Sequence, residues 1–346
     1  MAKKNGIFSQ INALGSEIVI DMGTSNTVIF KKGAGIVLRE PSVVAIDRRT
    51  QEVIAVGKEA KEMLGKTPAQ ILAVKPVLAG AAADFDVCCA MLKIFVKKAS
   101  GAGVFSRPTV LFSLPAGATE VERIAAEEVA KHAGAGDIRL IEAPMAAAIG
   151  AGVSPLSPKG FMVVSMGAGI TEVAVLALGD VIASTTVRTG GDAIDKAISR
   201  YIKRKYAIQI GELTAEEIKI KIGSAFPSAD SFHSFMEVRG RSVAENLPKS
   251  ITIHEEEIRG PILEELTKVI AAVVETTEVL PPEIAADLLE TGILLTGGGG
   301  LLSGLDRYLQ EATHLRVELS ERPLDAVAEG LGRSLSTAVS KREPRR

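Results

Sequence analysis

Ile18-Val19-Ile20-Asp21-Met22-Gly23-Thr24-Ser25-Asn26-Thr27-Val28 is matched, 144 residues on, by Met162-Val163-Val164-Ser165-Met166-Gly167-Ala168-Gly169-Ile170-Thr171-Glu172. In each, an apolar, largely β-branched run ends at a polar residue. Glycine follows two positions later, and threonine four beyond that opens a second strand-like run, Thr27–Lys31 or Thr171–Leu176. Each segment therefore predicts a buried strand, a glycine turn and a returning strand. Both are followed by a further short strand, Gly35–Leu38 or Asp180–Val187, and then by helix-forming sequence. A pattern used twice in this way predicts two related α/β domains.

The rest of the chain fits that plan. Thr119 precedes Glu120 and Glu122 at the start of a helix running to His132, and Gly134 closes it. A strand, Ile138–Ile141, and an alanine-rich helix, Ala143–Gly152, complete the first half. The turn-rich stretch Ser154-Pro155-Leu156-Ser157-Pro158-Lys159-Gly160 then places the boundary between a first lobe, residues 17–157, and a second, residues 158–319. Charged helical sequence covers Ala193–Ala225, and Ser228–His254 is polar and strand-like, as a small insertion on the second domain would be. A helix near Ile258–Glu278 leads to Gly292-Ile293-Leu294-Leu295-Thr296, which runs into Gly297-Gly298-Gly299-Gly300.

Composition limits the functions open to this plan. The chain has 346 residues, 47% of them hydrophobic, with 40 basic against 42 acidic side chains. That suffices for two packed domains and gives no overall attraction to nucleic acid. The two cysteines, Cys88 and Cys89, are adjacent on a predicted helix and supply neither a disulfide framework nor a four-ligand zinc site. The N-terminus lacks the apolar core of a secretory signal, and no long uncharged apolar run predicts a membrane span.

A glycine turn leaving a strand lets backbone N–H groups approach phosphate oxygens with no Cβ in the way. Three such turns occur, Gly23–Asn26, Gly167–Ile170 and Gly297–Gly300, and Gly190-Gly191-Asp192 offers a further contact. None is a P-loop, and no dinucleotide-type G-x-G-x-x-G opens a helix. Taken singly, each turn fits tight packing as well as phosphate. Taken as a pair, the two repeated turns form a clamp for a phosphate chain, with Asp21 ordering water around Mg²⁺.

From Glu17 to Gly332 the chain resembles the MreB-like bacterial actins, within the actin, sugar-kinase and heat-shock chaperone ATPase superfamily. The resemblance is carried by Asp21-Met22-Gly23-Thr24-Ser25-Asn26-Thr27, Gly35–Ile46, Ala143–Gly150, Gly190-Gly191-Asp192 and Leu295–Gly299. It implies a duplicated actin-like, ribonuclease H-like α/β fold with ATP or ADP and Mg²⁺ in a cleft between the lobes. It also implies small subdomains near residues 45–84 and 202–254, and a C-terminal segment, residues 320–343, packing back on the first lobe. By this resemblance Gly23, Thr24, Ser25, Asn26, Gly167, Ala168, Gly169, Gly190, Gly191 and Asp192 border the phosphates. Glu216 and Lys219 lie near the nucleoside, with Gly297, Gly298, Gly299 and Gly300 beside it. Asp21 and Asp84 would act on the metal through water. On residue type alone, Glu216 and Lys219 read as a solvated helix face.

The chain departs from the family where hydrolysis is concerned. Ala143 stands where these proteins carry a water-positioning Glu, Ser165 where they carry an Asp, and Ile170 where they carry a Thr. Glu142 is the alternative acid nearby, but successive side chains point in different directions, which counts against it as a replacement. Leu78-Ala79 replaces a usual charged pair, and Lys221 a usual acid. Loss of a positioned acid–base group costs on the order of 10²–10⁴ in rate, so no catalytic residue is assigned and ATP hydrolysis is expected to be weak or absent.

Ile7, Phe8, Ile11 and Leu14, preceded by Lys3 and Lys4, share one face of a short predicted helix within residues 1–16. Val104 and Phe105 form a second apolar segment that the resemblance sets against a bilayer. The implied function is a cytoplasmic, self-assembling filament at the inner face of the cell membrane, serving cell shape with wall-synthesis membrane proteins. The alternative is a regulatory subunit that joins or caps filaments of an active paralogue. A sugar kinase or chaperone fits less well, since no large substrate-binding insertion or tail is evident.

Overall fold

The computed structural model describes residues 17–100, 108–154, 156–227 and 234–338, and its main strands form two five-stranded sheets of one design. In the first, Gly35–Pro41, Asn26–Lys31, Glu17–Met22, Thr109–Leu114 and Asp137–Glu142 lie side by side in that order. In the second the order is Asp180–Val187, Thr171–Ala177, Phe161–Met166, Ile293–Thr296 and Val317–Leu319. Counted from the start of each repeat, both sheets run third, second, first, fourth, fifth strand. The first three are antiparallel neighbours and the others join in parallel.

The repeat extends to register. Asp21 pairs with Val28 and Met22 with Thr27, while Ser165 pairs with Glu172 and Met166 with Thr171. Each turn is closed by the same bond: Gly23 N–H donates to Asn26 O at 3.0 Å, and Gly167 N–H to Ile170 O at 2.9 Å.

Helix Phe85–Ser100 covers the first sheet because Val87, Cys88, Met91, Leu92, Phe95 and Val96 recur at helical spacing and are all buried. The Cys88 thiol is pushed up to about 12, mainly by burial, which leaves it an inert core group. Helix Glu120–His132 starts where Thr119 Oγ1 accepts the Glu122 N–H and the Glu122 carboxylate accepts the Thr119 N–H at 2.8 Å. Over the second sheet, Ile194, Ile198 and Ile202 of helix Gly191–Tyr206 meet Ile258, Ile262 and Leu266 of helix Glu255–Glu278.

Two small-residue helices lie between the sheets. Ala143–Gly150 ends two residues earlier than its sequence suggests, at the Ala151 cap. Its Ala146 packs with Val19, Leu111, Leu331 and Leu335 on the first-sheet side. Ala147 and Ala148 pack with Phe161, Val163, Leu176 and Ala326 on the other. Helix Ala326–Ala338 crosses so closely that a Cβ on Gly150 or Gly330 would strike the carbonyl of Ala326 or Ala146. The alanine-rich composition is therefore a packing requirement. Residues 339–343 of the expected C-terminal segment lie outside the described residues.

Each sheet carries a smaller one beside it. Val53–Val56, Val44–Asp47 and Ile71–Val74 form the first; Ile208–Gln209, Phe235–Ser242 and Pro248–His254 form the second. Among the described residues, no helix is long and apolar enough to cross a membrane. Ile7, Phe8, Ile11, Leu14, Val104 and Phe105 lie outside them.

Candidate functional site

The two repeated turns meet where the lobes face each other. A Cβ built on Gly169 would lie 2.5 Å from Thr24 Oγ1 and 3.0 Å from Ala79 N, so only glycine allows this approach. Thr24 Oγ1 accepts the Gly80 N–H at 3.3 Å. Behind the first turn, Ser42 Oγ donates to Gly23 O at 2.7 Å and lies 2.9 Å from Thr27 Oγ1, while Ser42 N–H donates to Ser25 O. Thr24 and Ser25, and their repeat equivalents Ala168 and Gly169, have no acceptor for their backbone N–H groups among the described residues. Asn26 opens the returning strand. Four donors thus remain at two matching turns, the arrangement that an oligophosphate satisfies.

Gly190, Gly191 and Asp192 brace the second turn. Gly191 N–H donates to Gly167 O at 3.0 Å and Asp192 N–H to Ala168 O at 2.9 Å. A Cβ on Gly190 would lie 2.5 Å and 2.7 Å from those two carbonyl oxygens. These backbone donors are committed to the protein, and the Asp192 side chain instead pairs with Lys75 at 3.3 Å. The glycine run also follows a packing logic. Gly297 has φ +81° and a Cβ there would strike Met166, while a Cβ on Gly299 would strike the Met166 side chain. Gly298, Gly299 and Gly300 form a short 3₁₀ turn directly after strand Ile293–Thr296.

Glu216 and Lys219 are not a solvated face. Lys219 Nζ reaches Asp195 at 2.9 Å and Gly191 O at 3.1 Å, and Glu216 takes Lys61 of the first lobe at 2.8 Å. The solvated pair on that helix is Lys221 with Glu217. Burial raises the Asp195 carboxyl to about 6 against the pull of Lys219.

The two acids expected on the metal side have different surroundings. Asp21 is half-buried, accepts the Ser113 O–H at 2.7 Å, and has its carboxyl raised by desolvation. A partly desolvated carboxyl whose side-chain partner among the described residues is one hydroxyl suits a cation held through water. Asp84 is exposed and accepts the Val87 N–H at 3.1 Å, so it caps helix Phe85–Ser100.

At the three altered positions, Ala143 begins the helix between the sheets, Ser165 lies cross-strand from Glu172, and Ile170 is buried beside Gly80 and Pro115 of the first lobe. Glu142 lies 3.5 Å from Arg123, with which it forms an ion pair.

Glu172 was not singled out from sequence, although an acid within Thr171-Glu172-Val173-Ala174-Val175-Leu176-Ala177 is the signal that marks it. It is 5% exposed and accepts the Ala116 N–H of the first lobe at 2.9 Å. Burial raises its carboxyl to about 7, with the Asp21 and Glu142 charges adding to the shift. An acid raised in the folded state binds protons that the unfolded chain has lost. Its stability contribution is therefore present at low pH and disappears as pH rises from the unfolded value through about 7. Glu172→Gln should flatten that decline and raise stability at pH 8 by up to about 3 kcal/mol. Thermal denaturation of both proteins between pH 5 and pH 8 checks this, and parallel pH profiles would contradict it.

Comparison with known proteins adds to this geometry. A family profile described as MreB/Mbl protein matches residues 15–343. The chain is 48% identical over 340 residues to the cell shape-determining protein MreB of Escherichia coli K12, covering 97% of this chain and 96% of that one. It is 44% identical over 316 residues to the cell shape-determining protein Mbl of Bacillus subtilis strain 168, covering 91% and 94%. Its structure is similar to the crystal structure of MreB 5 of Spiroplasma citri bound to AMPPNP, with a TM-score of 0.90, 33% identity and coverage of 94% and 98%. The MamK double helical filament shares the fold, with a TM-score of 0.77 at 18% identity and coverage of 92% and 99%.

Proposed function

Since the chain belongs to the MreB/Mbl family, we propose that it is an actin-like cytoskeletal protein that binds ATP or ADP between its lobes, assembles into filaments and hydrolyses ATP weakly or not at all. The observation that carries the nucleotide reading is the pair of matching turns with free N–H groups at Thr24, Ser25, Ala168 and Gly169. The crystallised Spiroplasma citri relatives, bound to AMPPNP and to ADP, support it. Bound Mg²⁺ would neutralise phosphate charge; Asp21 would hold its waters, and Ser165 offers no second charge. Binding relies on the backbone, which the chain retains. Hydrolysis relies on side chains at 143, 165 and 170, which it has lost.

Residues 17–157 and 158–319 are proposed as the two lobes, with residues 320–343 returning to the first. Cell-shape work at the inner membrane face is the proposed setting, with attachment through Ile7, Phe8, Ile11 and Leu14, supported by their spacing and by the names of the relatives. Purified protein with Mg-ATP should pellet at micromolar concentration and co-float with anionic vesicles, and removing residues 2–15 should abolish flotation while leaving pelleting intact. Protein that stays monomeric across salt and nucleotide conditions would instead favour a subunit that caps or joins a paralogue's filaments.

A further inference from the structure

At the mouth of the cleft, two lysines of the first lobe reach three carboxylates of the second. Lys61, on the short helix Lys58–Met63, lies 2.8 Å from Glu216. Lys75, directly after strand Ile71–Val74, pairs with Glu212 and lies 3.3 Å from Asp192. Glu212 and Glu216 are spaced i, i+4 on helix Glu212–Ile222, so one helical face receives both lysines. Asp192 begins the neighbouring helix Gly191–Tyr206. The charges in this region are Asp192, Asp195, Glu212 and Glu216 against Lys61, Lys75 and Lys219, with Lys219 held by Asp195 within its own lobe.

A single exposed ion pair contributes little. These pairs differ in two respects: the Lys75 side chain is only 19% exposed, and all of them lie across one gap, so opening the lobes breaks them together. Glu216 and Asp192 also belong to the segments assigned above to the nucleotide site. We propose that Lys61 and Lys75 form an ion-pair latch across the cleft mouth that sets the rate at which nucleotide leaves. This rests on the nucleotide reading of the cleft. Release requires the lobes to part, and parting requires the ammonium groups to leave carboxylates that water and salt then screen.

The test uses full-length protein, below the concentration at which it pellets, loaded with a fluorescent ATP analogue and chased with excess ATP. Lys75→Ala should release the analogue about fivefold faster than the unaltered chain, and Lys61→Ala with Lys75→Ala about tenfold faster. Salt should accelerate release from the unaltered protein more than from the double variant. Lys75→Glu should release fast, and adding Glu212→Lys should slow it again, which a general loss of packing would not produce. Saturable binding with release rates and salt dependence unchanged in the variants overturns the latch while leaving the nucleotide site standing. Failure of the unaltered protein to bind the analogue overturns both.

Discussion

Ala143→Glu, Ser165→Asp and Ile170→Thr, combined, should raise phosphate release by on the order of 10²–10⁴ over the unaltered chain. The three positions lie in different parts of the fold. Ala143 is the first residue of a helix, where a carboxylate is favoured by the helix dipole. Ser165 is the penultimate residue of strand Phe161–Met166 and lies across from Glu172, so Ser165→Asp alone sets two carboxylates on neighbouring strands and should weaken the fold before it helps the reaction. Ile170 fills the space beside Gly80 and Pro115, and Ile170→Thr exchanges an apolar contact for a hydroxyl. Groups that orient one water act as a unit, so each single change should fall well short of the triple. A phosphate-release assay on the unaltered chain, the three single variants and the triple checks this. Substantial release from the unaltered chain would mean that another group positions the water.

Gly190→Val should weaken nucleotide binding by at least about a hundredfold, comparable to losing several charge-assisted backbone bonds. The new Cβ would meet the carbonyl oxygens of Gly167 and Ala168, which are backbone and cannot swing aside, so the second turn itself must shift. Gly211 supplies the control: a Cβ there meets nothing within 4 Å. Gly211→Ala should bind as the unaltered chain does. Equilibrium titration with the fluorescent analogue, alongside circular dichroism to verify folding, reads both, and equal affinities would show that the second turn does not hold phosphate.

The duplication was legible because strand, turn and strand are local. The apolar run, the glycine two residues after the polar one and the threonine are written within eleven consecutive positions, and the register follows from them. The alanine-rich helix was legible as a helix, but its place between the sheets depends on Gly330 and Ala326, far away in sequence. Pairing across the cleft was hidden for the same reason. Nothing near Lys61 or Lys75 names Glu216 or Glu212 as partners, and residue type alone made Glu216 and Lys219 a solvated face. Asp84 was expected on the metal side from the resemblance; that it also caps helix Phe85–Ser100 is something residue type alone does not name. Glu172 escaped notice because its meaning comes from burial and from Ala116 on the other lobe.

The proposal that the cleft holds ATP which the assembled protein does not consume has a direct readout in the polymer. Its most direct test is to assemble the purified chain with Mg-ATP, sediment the polymer, extract it with acid and separate the released nucleotides by chromatography. About one nucleotide per subunit is expected, nearly all of it ATP, even after prolonged incubation. Pellets containing mainly ADP, or polymer with no nucleotide, would contradict it.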